Sequence, residues 1–285
     1  TSDANTKLLI HGESQAAVPA VANTGSSSSA ELQGSAGAKY YEGQADAVAA
    51  VGAYQDASSS GRTVTAIADA TSSTTSYKFG TESLYFDGTG DYFTVPAHSD
   101  FQVTSSDTVT IEFWIKRGTT GSQKHFCGGN TWSGVNESSW IFDWGANGTL
   151  RFANYTNTFA TSAQTHDTNW HHVALVSVSG SQTVYFDGVS IGTGSITSTW
   201  GSSTAVLRIG SSGNNPGQGE EWNGYIDEFR WSNIARYTSA FTPSTTAFTS
   251  DSNTKLLIHG EAQAAVAAST SMSLVSTTTT AQTAP

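Results

Sequence analysis

Between Thr63 and Ser232 the chain is a succession of short runs in which apolar and polar residues alternate: TVTAIA, SLYFDG, DYFTVP, TVTIEFWIKR, KHFCGG, SWIFDWG, LRFANY, WHHVALVSVSG, TVYFDG, VLRIG and WNGYIDEFRWS. They recur about every ten residues and are broken by Gly, Asp-Gly and Asn-Gly, the turn chemistry that joins antiparallel strands. A strand shows alternate side chains to opposite faces. In Thr108–Lys116, Val109, Ile111, Phe113 and Ile115 therefore make one apolar face, and Thr110, Glu112, Trp114 and Lys116 a mixed one. That is the pattern of one sheet of a sandwich. In Trp170–Ser179 the apolar set Val173 and Leu175 is joined by Ala174, Val176 and Val178 on the second face, which predicts a central strand buried on both sides. The fold class expected is all-β: a two-sheet antiparallel β-sandwich (jelly roll) with an Ala/Gly/Ser-rich insertion.

A second feature sets the limits of this sandwich. Asp3–Val18 and Asp251–Val266 match except at Ala4/Ser252 and Ser14/Ala262, and share the block TKLLIHGE. Each copy carries a short strand pattern, Lys7, Leu8, Leu9, Ile10, His11 in the first and Lys255, Leu256, Leu257, Ile258, His259 in the second. Only one set of sandwich runs lies between them, so the copies open and close a single domain. The expected organisation is residues 1–13 as the first strand, 14–61 as a low-complexity insertion or arm, 62–260 as the core, and 261–285 as a Ser/Thr-rich extension. Tyr41–Val51 is Ala-rich enough for a short helix packed by Val48, Val51 and Tyr54. The sharp expectation is that the two repeat strands are sheet neighbours, within one chain or across two.

Composition excludes several functions. Only 12 of 285 residues are Lys or Arg, the formal net charge is −11, and no basic stripe exists. The footprint of nucleic-acid binding is therefore absent. Cys127 is the only cysteine. It allows no intrachain disulfide, and its surroundings suit a buried inert thiol. No secretory signal opens the sequence and no apolar run approaches the ~18 residues that span a membrane.

FGTESLYFDGTGDYFTVP (79–96), TIEFWIKR (110–117), NWHHVALV (169–176), VYFDGVSIGTG (184–194) and GYIDEFRWSNIARYTSAFTPST (224–245) occur in this order. Together they resemble a laminin-G-like, concanavalin A-like (pentraxin-type) lectin/glucanase jelly roll over residues 55–260. They are most similar to versions in tailed phages of marine bacteria, where a TKLLIH-type strand begins and follows such domains. The insertion at 14–55 departs from the pattern, which passes quickly from the first strand to an Asp-x-Ser-Ser-x-Gly turn; Asp56–Gly61 is that turn here.

The resemblance implies possible chemistries. Related glucanases carry carboxylates spaced along one strand face as acid and nucleophile. Here Asp227 and Glu228 are adjacent and point to opposite faces, Asp143 stands alone in Phe-Asp-Trp, and His171-His172 are again opposite. No His-Glu-x-x-His helix or Gly-x-Ser-x-Gly elbow is present, so an enzyme is not expected. Family members hold a structural Ca²⁺, for which Asp56 and Asp227 are the candidate ligands beside a simpler role in turn hydrogen bonds. Asp87 and Asp187 precede Gly and read as hairpin turns.

Sugars stack on exposed aromatics flanked by polar groups. Asn130, Trp132, Trp140, Asp143, Trp144 and Tyr155 form the candidate glycan-binding set, with Asn136, Asn154 and Asn157 nearby. Trp200 and Trp222, in Gly/Ser/Asn-rich surroundings, are expected to be exposed, whereas Trp114, Trp170 and Trp231 are expected in the core. The terminal repeat strands offer edges for self-association. The expected protein is a non-enzymatic structural and adhesive component of a virion surface (head decoration or fibre) or another extracellular surface. Its expected partners are copies of itself, other virion proteins or surface glycans, with no nucleic acid and no membrane insertion. A secreted or cell-surface carbohydrate-binding module is the alternative, and a polysaccharide-degrading enzyme the third reading.

Overall fold

A computed structural model describes residues 54–119, 122–129, 139–154, 157–212 and 220–262, together with the backbone of two short strands, β1 (Leu32–Gln33) and β2 (Lys39–Tyr40). The chain divides into two compact units, Thr1–Val48 with Thr270–Pro285, and Ala49–Ser269. In the first unit β1 and β2 pair antiparallel. The second is the sandwich.

One sheet runs in the order β13-β12-β11-β10-β18-β7-β4-β3. Its strands are β3 (Tyr54–Gln55), β4 (Thr63–Ile67), β7 (Tyr92–Val95), β10 (Lys124–Gly129), β11 (Trp140–Trp144), β12 (Thr149–Asn154), β13 (Thr158–Ala163) and β18 (Leu207–Ile209). The other runs β16-β15-β14-β9-β19-β6-β5, with β20 (Thr254–Ile258) also paired to β19. It contains β5 (Thr71–Ser73), β6 (Ser83–Asp87), β9 (Thr108–Arg117), β14 (Trp170–Val178), β15 (Ser181–Phe186), β16 (Val189–Ser195) and β19 (Asn223–Ser232). A two-strand pair, β8 (Gln102–Val103) with β17 (Trp200–Gly201), completes the unit.

The alternation read from the sequence is the packing. Val109, Ile111, Phe113 and Ile115 of β9 face the main core, where Phe113 stacks on Phe229 at 5.5 Å. The mixed face of β9 is also covered. Ala174, Val176 and Tyr185 pack against Ala235, Tyr237 and Phe241, while Trp114 and Leu257 pack against Phe248. The stretch after β19 thus folds back over the outside of this sheet. β14 is central, between β9 and β15, as expected, but Val178 at its end is 42% exposed rather than buried.

β19 changes partner along its length. Asn223–Ile226 pair with β6 and Phe229–Ser232 with β20, and between them the register slips at a bulge where Glu228 takes a φ of 55°. A non-glycine residue in the left-handed region is held there by its surroundings: Glu228 Oε2 accepts from Phe248 N at 2.6 Å, and Oε1 lies 2.7 Å from His259 Nδ1.

β20 is the second repeat strand. Its outer edge is closed by the Asp56–Gly61 turn: Leu257 N donates to Asp56 Oδ1 at 3.0 Å, Ala57 N donates to Leu257 O at 2.7 Å, and Arg62 Nη1 donates to Lys255 O. β20 thus has β19 on one edge and this turn on the other. Lys7, Leu8, Leu9, Ile10 and His11 lie outside the described residues, as does the helix expected over Tyr41–Val51.

Candidate functional site

The outer face of the β9–β14–β15 sheet is sealed over a polar cluster. Glu112 and His172 are fully buried; Glu112 Oε1 accepts from Arg230 Nη2 at 2.6 Å and Oε2 from Tyr237 Oη at 2.6 Å, with His172 Nε2 at 3.2 Å. Burial opposes ionisation of Glu112, but hydrogen bonds from His172 and Tyr237 and the Arg230 charge outweigh it and hold its pKa below the ordinary value. This group locks β9, β14, β19 and the returning segment together, with its Glu112 and His172 closed off from solvent.

The opposite sheet presents a different arrangement. His125 on β10, Asp143 on β11 and Arg151 on β12 are register partners across three neighbouring strands. Asp143 is fully buried. Its Oδ1 accepts from Arg151 Nε at 3.2 Å, and its Oδ2 accepts from Gln123 Nε2 at 3.0 Å and from Arg151 Nη2. A planar guanidinium matches a carboxylate in this two-point way. Burial pushes the Asp143 carboxyl above its usual range, and Arg151 offsets this only in part. His125 Nε2 lies 3.9 Å from Asp143 and 3.3 Å from Glu220 Oε2, and its backbone N–H donates to Glu220 O at 2.8 Å. The imidazole beside it holds Glu220 below the ordinary carboxylate pKa. Arg151 and Glu220 are the outlets of the cluster, with 36% and 47% of their side chains exposed. Beneath it Arg117 is buried over the rings of Trp144 and Trp222, 5.0 and 5.6 Å from their centroids. That places a cation on aromatic faces, and burial lowers its pKa to about 10.

The expected glycan-binding set is only partly brought together here. Asp143 is in the cluster, but Trp140 and Trp144, 2% and 0% exposed, are core residues, and neither presents a ring to a sugar. Trp140 packs on Trp200 at 5.3 Å and Trp231 at 5.8 Å; Trp144 donates from Nε1 to Gly148 O at 2.9 Å. The reason is the strand period: Trp140, Phe142 and Trp144 share one face and Asp143 the other. Trp200 and Trp222 are also buried, against expectation. Trp114 and Trp231 are core as expected, and Trp170 is partly buried against the second cluster. Asn130, Trp132, Asn136 and Tyr155 lie outside the described residues. His125, Arg151, Gln123 and Glu220 were missed. The available signal was Arg151 at the outward position of LRFANY, in the strand following an outward Asp143.

Asp56 and Asp227, the expected calcium ligands, do not meet. Asp56 accepts from Ser58 N, Leu257 N and Arg62 N, and Asp227 from Lys78 N, Phe79 N and Glu228 N. Each therefore has the turn-holding role that was the simpler reading. Asp227 is fully buried, and burial raises its pKa to about 7. Among the described residues, the carboxylates that converge are Asp69, Asp87 and Asp91, whose oxygens lie within 4.8 Å of one another. Calcium takes six to eight oxygens, so these three residues would hold part of such a shell. Asp91 already accepts from Asp69 N at 3.2 Å and Asp87 N at 2.9 Å. Asp187 and Gly188, with φ of 49° and 79°, form the expected hairpin turn between β15 and β16. Asp87 does not turn a hairpin, because β6 and β7 lie in different sheets.

The Laminin_G_3 family model, described as the concanavalin A-like lectin/glucanases superfamily, matches residues 87–240, more than half of the chain. No curated protein matches. Among solved structures the chain is similar to the native heptameric SAP-like pentraxin from Limulus polyphemus, with 18% identity, 48% of this chain and 67% of that one covered, and a TM-score of 0.38. It is similar to domain 4 of AbnA, a GH43 extracellular arabinanase from Geobacillus stearothermophilus crystallised with arabinotriose, with 16% identity, 68% and 95% covered, and a TM-score of 0.46. For the Trypanosoma rangeli sialidase the figures are 13% identity, 65% and 30% covered, and a TM-score of 0.45. With the sandwich architecture and the matched span from Asp87 through β19, the chain belongs to the concanavalin A-like lectin/glucanases superfamily.

Proposed function

We propose that the chain is a non-catalytic glycan-binding module of an adhesive surface protein, and that it binds through the cluster around Asp143. The carrying observation is that Arg151, Gln123 and His125 converge on a carboxylate that the fold has already fixed, with Glu220 against His125, and that Arg151 and Glu220 are both partly exposed. Sugar hydroxyls donate and accept at once, so a rim that alternates guanidinium, imidazole, amide and carboxylate suits them.

Access argues against hydrolysis. Asp143 and Glu220 both approach His125 Nε2, close enough for a glycosidase pair by spacing alone. Asp143, however, has no exposed side-chain surface and both oxygens are engaged, which leaves one reachable carboxylate. The test is a glycan array with the whole chain, then titration calorimetry on any glycan found. Arg151→Ala and Glu220→Gln are expected to weaken binding at least about tenfold, or about 1.4 kcal/mol. Unchanged affinity would place binding elsewhere. Release of reducing sugar that Glu220→Gln abolishes would overturn the non-catalytic reading.

The duplicated strand favours a second, compatible reading: a component of a regularly assembled surface such as a phage head decoration or fibre. Electron microscopy of the source material is expected to show ordered copies on a particle; isolated monomers would oppose it.

A further inference from the structure

The slot that holds β20 reads eight residues of the repeat. Asp251 pairs with Arg236 at 2.9 Å, and Thr254 Oγ1 accepts from Arg236 Nη2 at 3.1 Å. Leu256 and Ile258 enter the main core, and Leu257 enters the Trp114–Phe248 cluster. His259 meets Glu228 at 2.7 Å. Gly260 has a φ of +94°, and a Cβ there would stand 2.7 Å from Ser83 Cα, so no other residue fits comfortably. Glu261 Oε1 accepts from Thr81 N at 3.2 Å.

Each of these residues recurs in the first copy, as Asp3, Thr6, Leu8, Ile10, Leu9, His11, Gly12 and Glu13. The two differences fall where little depends on them. At Ser252 the bond made is through its carbonyl, from Lys255 Nζ, and at Ala262 it is through the backbone N–H, to Glu82. One chain therefore carries one slot and two segments that satisfy it. In this structure residues 251–261 fill the slot, and residues 3–13 carry the same sequence features.

We propose that the slot between β19 and the Asp56–Gly61 turn is a strand-exchange site, and that its second ligand is residues 3–13 of another copy of this chain. Exchange replaces one set of contacts with the same set, so it is close to neutral, as in domain swapping. Occupancy then follows mass action. The chain's own strand is tethered at an effective concentration on the order of millimolar, and linkage between copies rises as protein concentration approaches that range. This inference does not depend on glycan binding.

Thr254 is the register partner of Ser232, so Thr6 of an incoming strand stands opposite Ser232. The test uses the full chain with Thr6→Cys and Ser232→Cys; Cys127 is fully buried and out of reach. On mild oxidation, disulfide-linked multimers are expected on a non-reducing gel, in a fraction that rises with protein concentration. The control, Thr254→Cys with Ser232→Cys, is expected to link within one chain and shows that the fold and register survive. Adding Leu256→Ala to the test pair weakens only the resident strand and is expected to increase the multimers, whereas Leu8→Ala is expected to decrease them. Links confined to single chains, no links while the control pair forms, or multimers indifferent to both substitutions would each overturn the proposal.

Discussion

His171 stands between two carboxylates, with Asp187 Oδ2 2.7 Å from Nδ1 and Asp167 Oδ1 2.9 Å from Nε2. Burial opposes its charge, but the two hydrogen bonds outweigh it and raise its pKa above the ordinary value. A histidine raised in the folded state contributes stability below its unfolded pKa, and loses it as pH rises through the folded one. His259 beside Glu228 shifts the same way. Asp227, raised to about 7 by burial, ionises in the folded protein at a cost that grows from its unfolded pKa up to about 7. All three slope in one direction. Thermal unfolding is therefore expected at a higher temperature near about pH 6 than at about pH 8.5. His171→Gln should remove roughly 0.5–1 kcal/mol of that difference, discounted for the exposure of its partners, or about 1–4 °C. An equal gap in the variant would count against the pairing. At this scale the sequence was read best where period alone decides. It told which side chains of Thr108–Lys116 face inward, and the same rule applied to Trp-Ile-Phe-Asp-Trp separates Asp143 from its flanking tryptophans. It did not tell that Arg151 supplies the counter-charge, because cross-strand register is set by turns and bulges outside the strand.

The Asp56–Gly61 turn and β20 form one working element although they are far apart in sequence. Asp56 caps its own turn and also takes the outward amide of Leu257, so one carboxylate serves two elements. Asp56→Ala is expected to cost about 1–3 kcal/mol in urea unfolding, the range for leaving buried donors unpaired. In hydrogen exchange, protection should fall first at Leu257. A variant that loses stability evenly, with Leu257 still protected, would mean that β19 alone holds the strand. The turn was visible in the sequence as Asp-x-Ser-Ser-x-Gly, and β20 as Leu-Leu-Ile between Lys and His. Their contact was not, because nothing local says which strand edge a turn will cover. Trp200 and Trp222 failed for a related reason. Gly- and Ser-rich neighbours describe the local backbone but not the segment that packs above it, and Trp222 ends under β10, 5.1 Å from Phe126.

Across the whole molecule, hairpins such as β11–β12 and β14–β15 are local, but the pairings that complete both sheets, β10–β18, β7–β18, β9–β14, β9–β19 and β6–β19, join distant stretches of chain. β6 and β7 are consecutive but belong to different sheets, as are β9 and β10, so neither sheet can be completed from one continuous segment. Topologies dominated by non-local pairs fold in roughly milliseconds to seconds. Refolding from urea, followed by stopped-flow tryptophan fluorescence, is expected toward the slow end; a microsecond main phase would contradict this pairing order. The architecture was legible in the sequence because it depends on the number, spacing and alternation of strands. Which face would carry a site was less so, because that depends on the stretch after β19 folding back to seal the other sheet.

The bond from Leu257 to Asp56 spans 201 residues, and that separation has a temporal meaning. On a ribosome adding roughly 5–20 residues per second, Asp56 emerges on the order of ten seconds or more before Leu257. The strand that covers Trp231 and Phe229 is thus the last part of the sandwich to be made. Until it arrives, the apolar seam beside β19 lacks its resident strand, while the matching residues 3–13 have already been made, so synthesis order itself gives the first copy its opportunity at the slot.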